Sequence, residues 1–152
     1  MSRAFWMYLV DTDVISAGAQ SRDRAPAELI VWMDRNSDRL FLSAISVAEI
    51  EDGIAKTRRE GARRKSVGLA RWLEAVLHLY GDRILPFDVA AARIAGTLSD
   101  LARSKGQSPR FPDLAIAAIA AAHEMTVLTG NLRRFKPLGV RAHNPFEALP
   151  MD

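Results

Sequence analysis

The strongest constraint on the fold is the segment at residues 5–18, in which an unbroken apolar run leads directly into two carboxylates. Residues 5–10 are all apolar and include aromatic and β-branched types, a pattern typical of a short strand packed on both faces. Asp11, Thr12 and Asp13 follow at once. Because open parallel sheets bind ligands beyond the carboxyl ends of their strands, this order indicates a polar site at the end of the first strand. Capping of the next helix by Asp11 is the alternative interpretation.

Short apolar segments alternate with helical patterns along the rest of the chain. Apolar spacing predicts further strands at 40–43, 84–87, 126–129 and 140–143, the last of them at a sheet edge. It predicts helices at 26–36, from 47 to about 57, around 69–80, from 89 onward and at 114–124. Such alternation is typical of an α/β fold. We therefore predict a single domain over residues 1–152, with a mainly parallel twisted sheet of about four to five short strands and helices on both faces.

The composition excludes several kinds of protein and site. The 152 residues contain no cysteine, which excludes disulfides, thiolate metal sites and cysteine nucleophiles. The longest apolar run, at residues 114–122, is well short of the roughly 20 residues that span a bilayer. Asp11 and Asp13 interrupt an N-terminal pattern that otherwise mimics a signal peptide, so we reject that interpretation. The formal net charge of +3 favours a polyanionic partner only weakly.

Acidic residues recur where predicted strands end or helices begin. Asp11 follows the first strand, Glu49 comes soon after the second, and Asp113 opens the helix before the fourth. Positions after parallel strands gather on one rim of the sheet, and we assume that the helix start at Asp113 reaches the same rim. Unpaired carboxylates ~4 Å apart repel by on the order of 4 kcal/mol in an effective dielectric of ~20. A hard divalent cation would offset that repulsion, and oxygen ligands without cysteine suit Mg²⁺ or Mn²⁺.

Each of these acids, and each basic cluster, also has a purely structural interpretation. Glu49 lies three residues after Ser46, which is the spacing of a capping box at a helix start, and the helix dipole favours Asp113. Two basic clusters are open to a choice between a solvated face and contacts to a phosphate backbone. The first cluster comprises Lys56, Arg58, Arg59, Arg63, Arg64 and Lys65, and the second comprises Arg133, Arg134 and Lys136.

Taken together, five segments of the sequence resemble the PIN-domain family. The likeness is greatest to toxin ribonucleases of the VapC type and their FitB-like branch, and it extends from about residue 7 to 146. Order and spacing carry the resemblance more than any single segment does. The segments are residues 9–16, 42–50 with Gly53, 84–88, 112–118, and 129–131 with Phe135.

This resemblance implies an activity and a set of partners. It implies a Mg²⁺- or Mn²⁺-dependent endoribonuclease that is the toxin of a type II toxin–antitoxin system and hydrolyses RNA phosphodiesters with metal-activated water. It further implies a cytoplasmic homodimer without membrane contact, a cognate antitoxin protein, and DNA binding only through the antitoxin complex. Residues 1–6 precede the usual start of such proteins and form a candidate N-terminal extension.

The resemblance also assigns roles to individual residues. It places metal ligands at Asp11, Glu49 and Asp113, the fourth acidic position at Asn131, and polar support at Thr12, Asp13 and Thr129. Since none of the motifs offers a histidine base, we expect a 5′-phosphate and a 3′-hydroxyl as products. Because the basic cluster at Arg133, Arg134 and Lys136 directly follows Asn131, we predict that it holds the RNA backbone.

Two departures from the family pattern leave an alternative open. Many relatives have Asp at the position of Asn131, and relatives often have Asn at the position of Asp13, so the two changes either compensate or weaken the site. A catalytically weak or inactive PIN-like RNA-binding module is therefore the alternative function. Haloacid-dehalogenase phosphatases share the Asp-x-Asp start, but Ile15 and Pro86 occupy places where that class requires other residues, which disfavours it.

Overall fold

A five-stranded parallel sheet organises the chain in the computed structural model, which describes residues 6–19 and 25–151. The strand order across the sheet is β3-β2-β1-β4-β5, and every neighbouring pair is parallel. The strand bounds are β1 Tyr8–Val10, β2 Leu40–Ser43, β3 Ile84–Leu85, β4 Thr126–Leu128 and β5 Ala142–His143. Since β1 is central and pairs with both β2 and β4, the residues that follow these three strands lie side by side.

Helices cover both faces of the sheet. Their bounds are α1 Thr12–Ala17, α2 Ala27–Arg35, α3 Ala44–Arg59, α4 Arg63–Tyr80, α5 Val89–Ser104, α6 Phe111–Ala122 and α7 Leu132–Phe135. Alternate strand residues feed two separate cores, because successive side chains of a strand point to opposite faces. Val10 and Leu42 pack with residues of α1, α3 and α4, whereas Leu9 and Val127 pack with residues of α5, α6 and α7. The predicted α/β class is confirmed.

The ends of several elements differ from the sequence-based expectations. The strand at Ile84–Leu85 stops before Pro86 and lies at the sheet edge. Proline has no backbone N–H to donate to a neighbouring strand, so both features are expected. The connection between the helices expected at 47–57 and 69–80 is shorter than those bounds imply, because α3 continues to Arg59 and α4 already begins at Arg63. The four-residue helix α7 was not predicted, since so short a segment has no apolar period.

The predicted cap of α3 is wrong by three residues. Ser43 is the N-cap: its backbone is extended, and its hydroxyl accepts the amide of Ser46 at 3.0 Å. Ser46 therefore lies inside the helix, which begins at Ala44 rather than Val47. Glu49 is consequently too far from the cap to close a capping box, and that structural interpretation of its carboxylate no longer holds.

Two further expectations concern the chain ends and membranes. Residues 1–5 of the candidate N-terminal extension lie outside the described residues, and Trp6 is an exposed side chain just before β1. None of the helices in the described ranges is long and apolar enough to cross a membrane.

Candidate functional site

The carboxylate of Asp11 is held at the point where β1 and β4 end side by side. Its backbone amide donates to the carbonyl of Leu128 at 2.8 Å, which continues the pairing of the two strands. The Thr129 hydroxyl donates to Oδ2 of Asp11, and the Thr12 amide donates to Oδ1, each at 2.8 Å. Asp11 is thus the N-cap of α1, as the structural interpretation expected, and both its oxygens are oriented as well.

Burial makes the charge of Asp11 costly. The residue is only 5% exposed. Desolvation by burial, followed by the negative charge of Asp13, raises its pKa from 3.8 to about 6, and the charge of Asp113 adds to the rise. The hydrogen bonds from Thr129 and Thr12 act in the opposite direction. The site therefore concentrates negative charge in a place that a cation would stabilise.

Thr12 links Asp11 to the helix that follows β2. Its hydroxyl lies 2.8 Å from Oε1 of Glu49 and 2.9 Å from Oγ of Ser46. Because a carboxylate only accepts, the hydroxyl proton goes to Glu49. The start of α1 and the first turns of α3 are thereby joined, so Glu49 lies on the same rim as Asp11.

Asp13 is held from the other side, by the loop after β4. The amide of Gly130 donates to its Oδ2 at 2.8 Å. Although the residue as a whole is exposed, desolvation of the carboxylate raises its pKa, and the Gly130 amide opposes that rise. Asp13 thus adds a second carboxylate beside Asp11.

Asp113 is buried in the first turn of α6 and is ion-paired. Both of its oxygens contact one guanidinium: Nε of Arg110 lies 3.1 Å from Oδ2, and Nη2 lies 3.2 Å from Oδ1. Nη1 of Arg134 lies 3.9 Å from the same Oδ1. The expectation of an unpaired carboxylate at this position is therefore wrong. Arg110 escaped sequence reasoning, although its spacing of three residues before Asp113 is a recognisable signal for an ion pair on a helix.

Arg110 lies within the field of all three acids that the sequence motifs singled out. The hydrogen bond and charge of Asp113 raise the pKa of its guanidinium, and the charges of Glu49 and Asp11 add to the rise. Because charge effects on a pKa weaken with distance, these contributions indicate that the three acids lie near one another.

Asn131 reaches this rim through its backbone. Its amide donates to Oγ1 of Thr129 at 3.0 Å, and Thr129 in turn donates to Asp11. Asn131 is the N-cap residue of α7, but within the described part of the chain its side chain makes no capping hydrogen bond. Capping of α7 therefore does not account for this half-buried side chain.

The site fits a divalent cation in its donor chemistry and charge, but not in its present side-chain arrangement. Across residues 6–19 and 25–151, no three acidic or histidine side chains are grouped so as to hold a metal ion. The candidate donors would be the hard carboxylate oxygens of Asp11, Glu49 and Asp113, which suit Mg²⁺ or Mn²⁺. A cation is already attracted there, because the guanidinium of Arg110 lies against Asp113. A metal ion bound by Asp113 would therefore share that carboxylate with Arg110 or displace it.

A shallow basic cavity of about 240 Å³ adjoins Asp113. Arg110, Arg133 and Arg134 are among its lining residues. Lys136 is the third member of the basic cluster after Asn131. It is exposed to solvent but does not line this cavity. Cationic side chains thus flank the acidic rim on the side of α7.

Comparison with known proteins identifies the family. The PIN domain matches this sequence over residues 8–139, which is most of the chain. The chain belongs to the PIN-domain family. The resemblance drawn from the sequence motifs is thereby confirmed, and so is the fold that it implied.

Relatives of this PIN domain align along nearly their whole length. It is 33% identical over 141 residues to Toxin FitB of Neisseria gonorrhoeae, with 92% of this chain and 99% of that protein covered. It is 34% identical over 143 residues to VapC ribonuclease Y4jK of Sinorhizobium fredii, with 93% and 99% covered. One chain in the structure of FitAB bound to the IR36 DNA fragment superposes with a TM-score of 0.79 at 33% identity, covering 92% of this chain and 96% of that chain.

Proposed function

We propose that this PIN domain is a metal-dependent endoribonuclease and the toxin of a type II toxin–antitoxin pair. The observation that carries the proposal is the buried Asp11 carboxylate, whose charge is destabilised by burial and by Asp13 and Asp113. Glu49 is held on the same rim through Thr12. The names of two relatives, Toxin FitB and VapC ribonuclease Y4jK, support a toxin with ribonuclease activity.

In the proposed mechanism, protein side chains orient the acids before substrate arrives. A Mg²⁺ or Mn²⁺ ion held by Asp11, Glu49 and Asp113 would supply an activated water and would stabilise charge on the phosphate. Thr129 and the Thr12 amide fix both oxygens of Asp11, so the carboxylate is oriented in advance. Hydrolysis of the bond between phosphorus and the 3′ oxygen leaves a 5′-phosphate and a 3′-hydroxyl.

The basic residues next to the rim are proposed to bind the RNA backbone. Arg133 and Arg134 line the cavity beside Asp113, and Lys136 follows them in the sequence. Arginine is suited to this role because its planar group donates two parallel hydrogen bonds to a phosphate. A single-stranded RNA held here would place a phosphodiester beside the acids.

The antitoxin partner is proposed to bind a different surface. An apolar cavity of about 250 Å³ lies between α1, α2 and α4, with Ile15, Met33 and Trp72 among its lining residues. The structure of FitAB bound to DNA supports an antitoxin partner and contact with DNA through the complex. We expect an apolar segment of the antitoxin in this cavity, so Met33→Lys should abolish the complex while RNA cleavage persists. The homodimer and the cytoplasmic location stay predictions.

A catalytically weak or inactive RNA-binding module is the second candidate function. Asn131 favours it, because an amide brings no charge to the fourth acidic position. Pairing of Asp113 with Arg110 favours it as well. A short upstream reading frame ending in an Arg-rich or aromatic tail would favour the toxin over this alternative.

RNA cleavage by the purified chain tests the proposed activity. We expect cleavage in Mn²⁺, none in excess EDTA, and a loss of at least about 100-fold for Asp11→Asn, since even residues outside the metal's ligand set cost roughly 10–100-fold. Asp100→Asn, at an exposed position on α5, is the matched control and should cleave as the wild type does. Cleavage that persists in EDTA, or products with a 2′,3′-cyclic phosphate, would contradict the proposed mechanism.

A further inference from the structure

The contact between Arg110 and Asp113 joins an exposed cation to a buried anion. The side chain of Arg110 is 55% exposed, whereas that of Asp113 is 5% exposed. The guanidinium contacts both carboxylate oxygens, so a metal ion bound by Asp113 would have to share those oxygens with Arg110 or displace it. Arg110 therefore either stays in place as a fixed part of the site or is displaced when a metal ion binds Asp113.

The position of Arg110 argues that the contact does not serve the helix. Arg110 is the N-cap residue of α6 and makes no side-chain capping hydrogen bond within the described structure. Short polar residues are preferred at an N-cap, and the positive end of the helix dipole disfavours a cation there. What holds the guanidinium in place is the negative charge of Asp113, with added attraction from Glu49 and Asp11.

We propose that Arg110 is a counter-cation built into the chain, which competes with the divalent cation for Asp113 and so sets the metal concentration at which the site loads. This inference rests on the proposed function, because it needs a site that binds a metal ion. Exchange is feasible because one partner is exposed to water, where ion pairs are weak and easily replaced. Arg134 is a poorer competitor, since its nearest nitrogen is 3.9 Å from the carboxylate and only one contact is made.

Direct metal binding without RNA tests this competition. Mn²⁺ titrations followed by electron paramagnetic resonance would compare the wild type with Arg110→Gln, Arg110→Lys and the control Arg103→Gln. Arg103 is exposed on α5 and carries the same charge, so its replacement controls for the loss of one cation. Circular dichroism of each variant establishes that the fold is kept.

We expect Arg110→Gln to lower the apparent Kd for Mn²⁺ by roughly two- to fivefold, the equivalent of a solvent-exposed ion pair. Arg110→Lys keeps the charge but not the paired N–H groups, so its Kd for Mn²⁺ should lie between that of the wild type and that of Arg110→Gln. Arg103→Gln should bind as the wild type does. If Arg110→Gln binds Mn²⁺ no more tightly than the wild type, the competition is refuted while the proposed nuclease stands. If neither the wild type nor Arg110→Gln binds Mn²⁺, the competition and the proposed metal-dependent nuclease are both refuted.

Discussion

The amide of Gly130 donates to Oδ2 of Asp13 at 2.8 Å, and this approach requires that residue 130 has no side chain. A Cβ added to Gly130 would lie 2.7 Å from that same oxygen and 3.0 Å from the ring of Phe146. The glycine after β4 is therefore part of the site, because it lets the loop reach the carboxylate that follows β1.

Gly130→Ala should destabilise the fold and displace Asp13. We expect a loss of about 1–3 kcal/mol in the free energy of unfolding, since the new methyl group must push aside a carboxylate and a packed ring. Gly53→Ala is the matched control: Gly53 lies inside α3, and a Cβ there meets nothing within 4 Å. That change should stabilise the protein by roughly 0.5–1 kcal/mol. Urea unfolding of both variants measures the two effects, and equal stability would contradict the steric argument.

Much of the fold could be predicted because local apolar patterns determine where its strands and helices lie along the chain. Val10 and Leu42 belong to short apolar runs, and such runs separated by helical periods leave few arrangements other than a parallel sheet. The rim position of Asp11 and Glu49 followed from the same order of elements. These inferences depend on the order of strands and helices along the chain, which the apolar pattern reveals, and not on side-chain conformations.

The partners of the site residues were not predicted, because most of them depend on side-chain orientation. Asp113 was expected to be unpaired, but Arg110 wraps back onto it from the residue before α6. Glu49 was given a capping partner at Ser46, whereas the helix begins earlier and Thr12 is its hydrogen-bond donor. Tertiary packing of α1 against α3 decided the partner of Glu49, whereas the pairing of Arg110 with Asp113 is local, and its three-residue spacing was a signal in the sequence.

The basic cluster after Asn131 should contribute to RNA binding in a salt-dependent way. Replacing Arg133, Arg134 and Lys136 together with Ala should reduce the slope of log K against log[salt] by about 0.7 for each phosphate contact that is lost on a single strand. A triple replacement of Arg35, Arg71 and Arg93, which are exposed on α2, α4 and α5, removes the same charge outside both basic clusters and serves as the control. Fluorescence anisotropy with a labelled RNA and the Asp11→Asn background avoids cleavage. An unchanged slope for the first triple variant would make that cluster a solvated surface.

Stability of the metal-free protein should fall as pH rises past the pKa of Asp11. The pKa is about 6 in the folded protein and 3.8 in the reference state, so the folded protein binds the extra proton. The stabilisation is therefore complete below about pH 4 and is lost as pH rises through about 6, by roughly 3 kcal/mol at most. Urea unfolding in EDTA across this range, compared with Asp11→Asn, isolates the contribution of Asp11. A difference between the two proteins that does not change with pH would refute this titration.

Metal binding should stabilise the folded protein, and two variants should alter that response in opposite directions. An ion that binds only the folded state stabilises it by about 2.7 kcal/mol at a hundred times its Kd, so Mg²⁺ or Mn²⁺ should raise the Tm of the wild type. Asp113→Asn should remove most of this rise. In EDTA that change should be nearly neutral, because it removes both the attraction to Arg110 and the repulsion from Asp11.

Asn131→Asp is the complementary probe, because it adds a charge at the position to which the sequence resemblance assigned the fourth acid. If the side chain faces the ion, the metal-free protein should become less stable through repulsion with Asp11, and the rise in Tm with Mn²⁺ should become larger. Thermal unfolding over a range of Mn²⁺ concentrations separates the two effects. Should Asn131→Asp change neither the metal-free Tm nor its response to Mn²⁺, Asn131 does not line the site, and its assignment to the fourth acidic position is wrong.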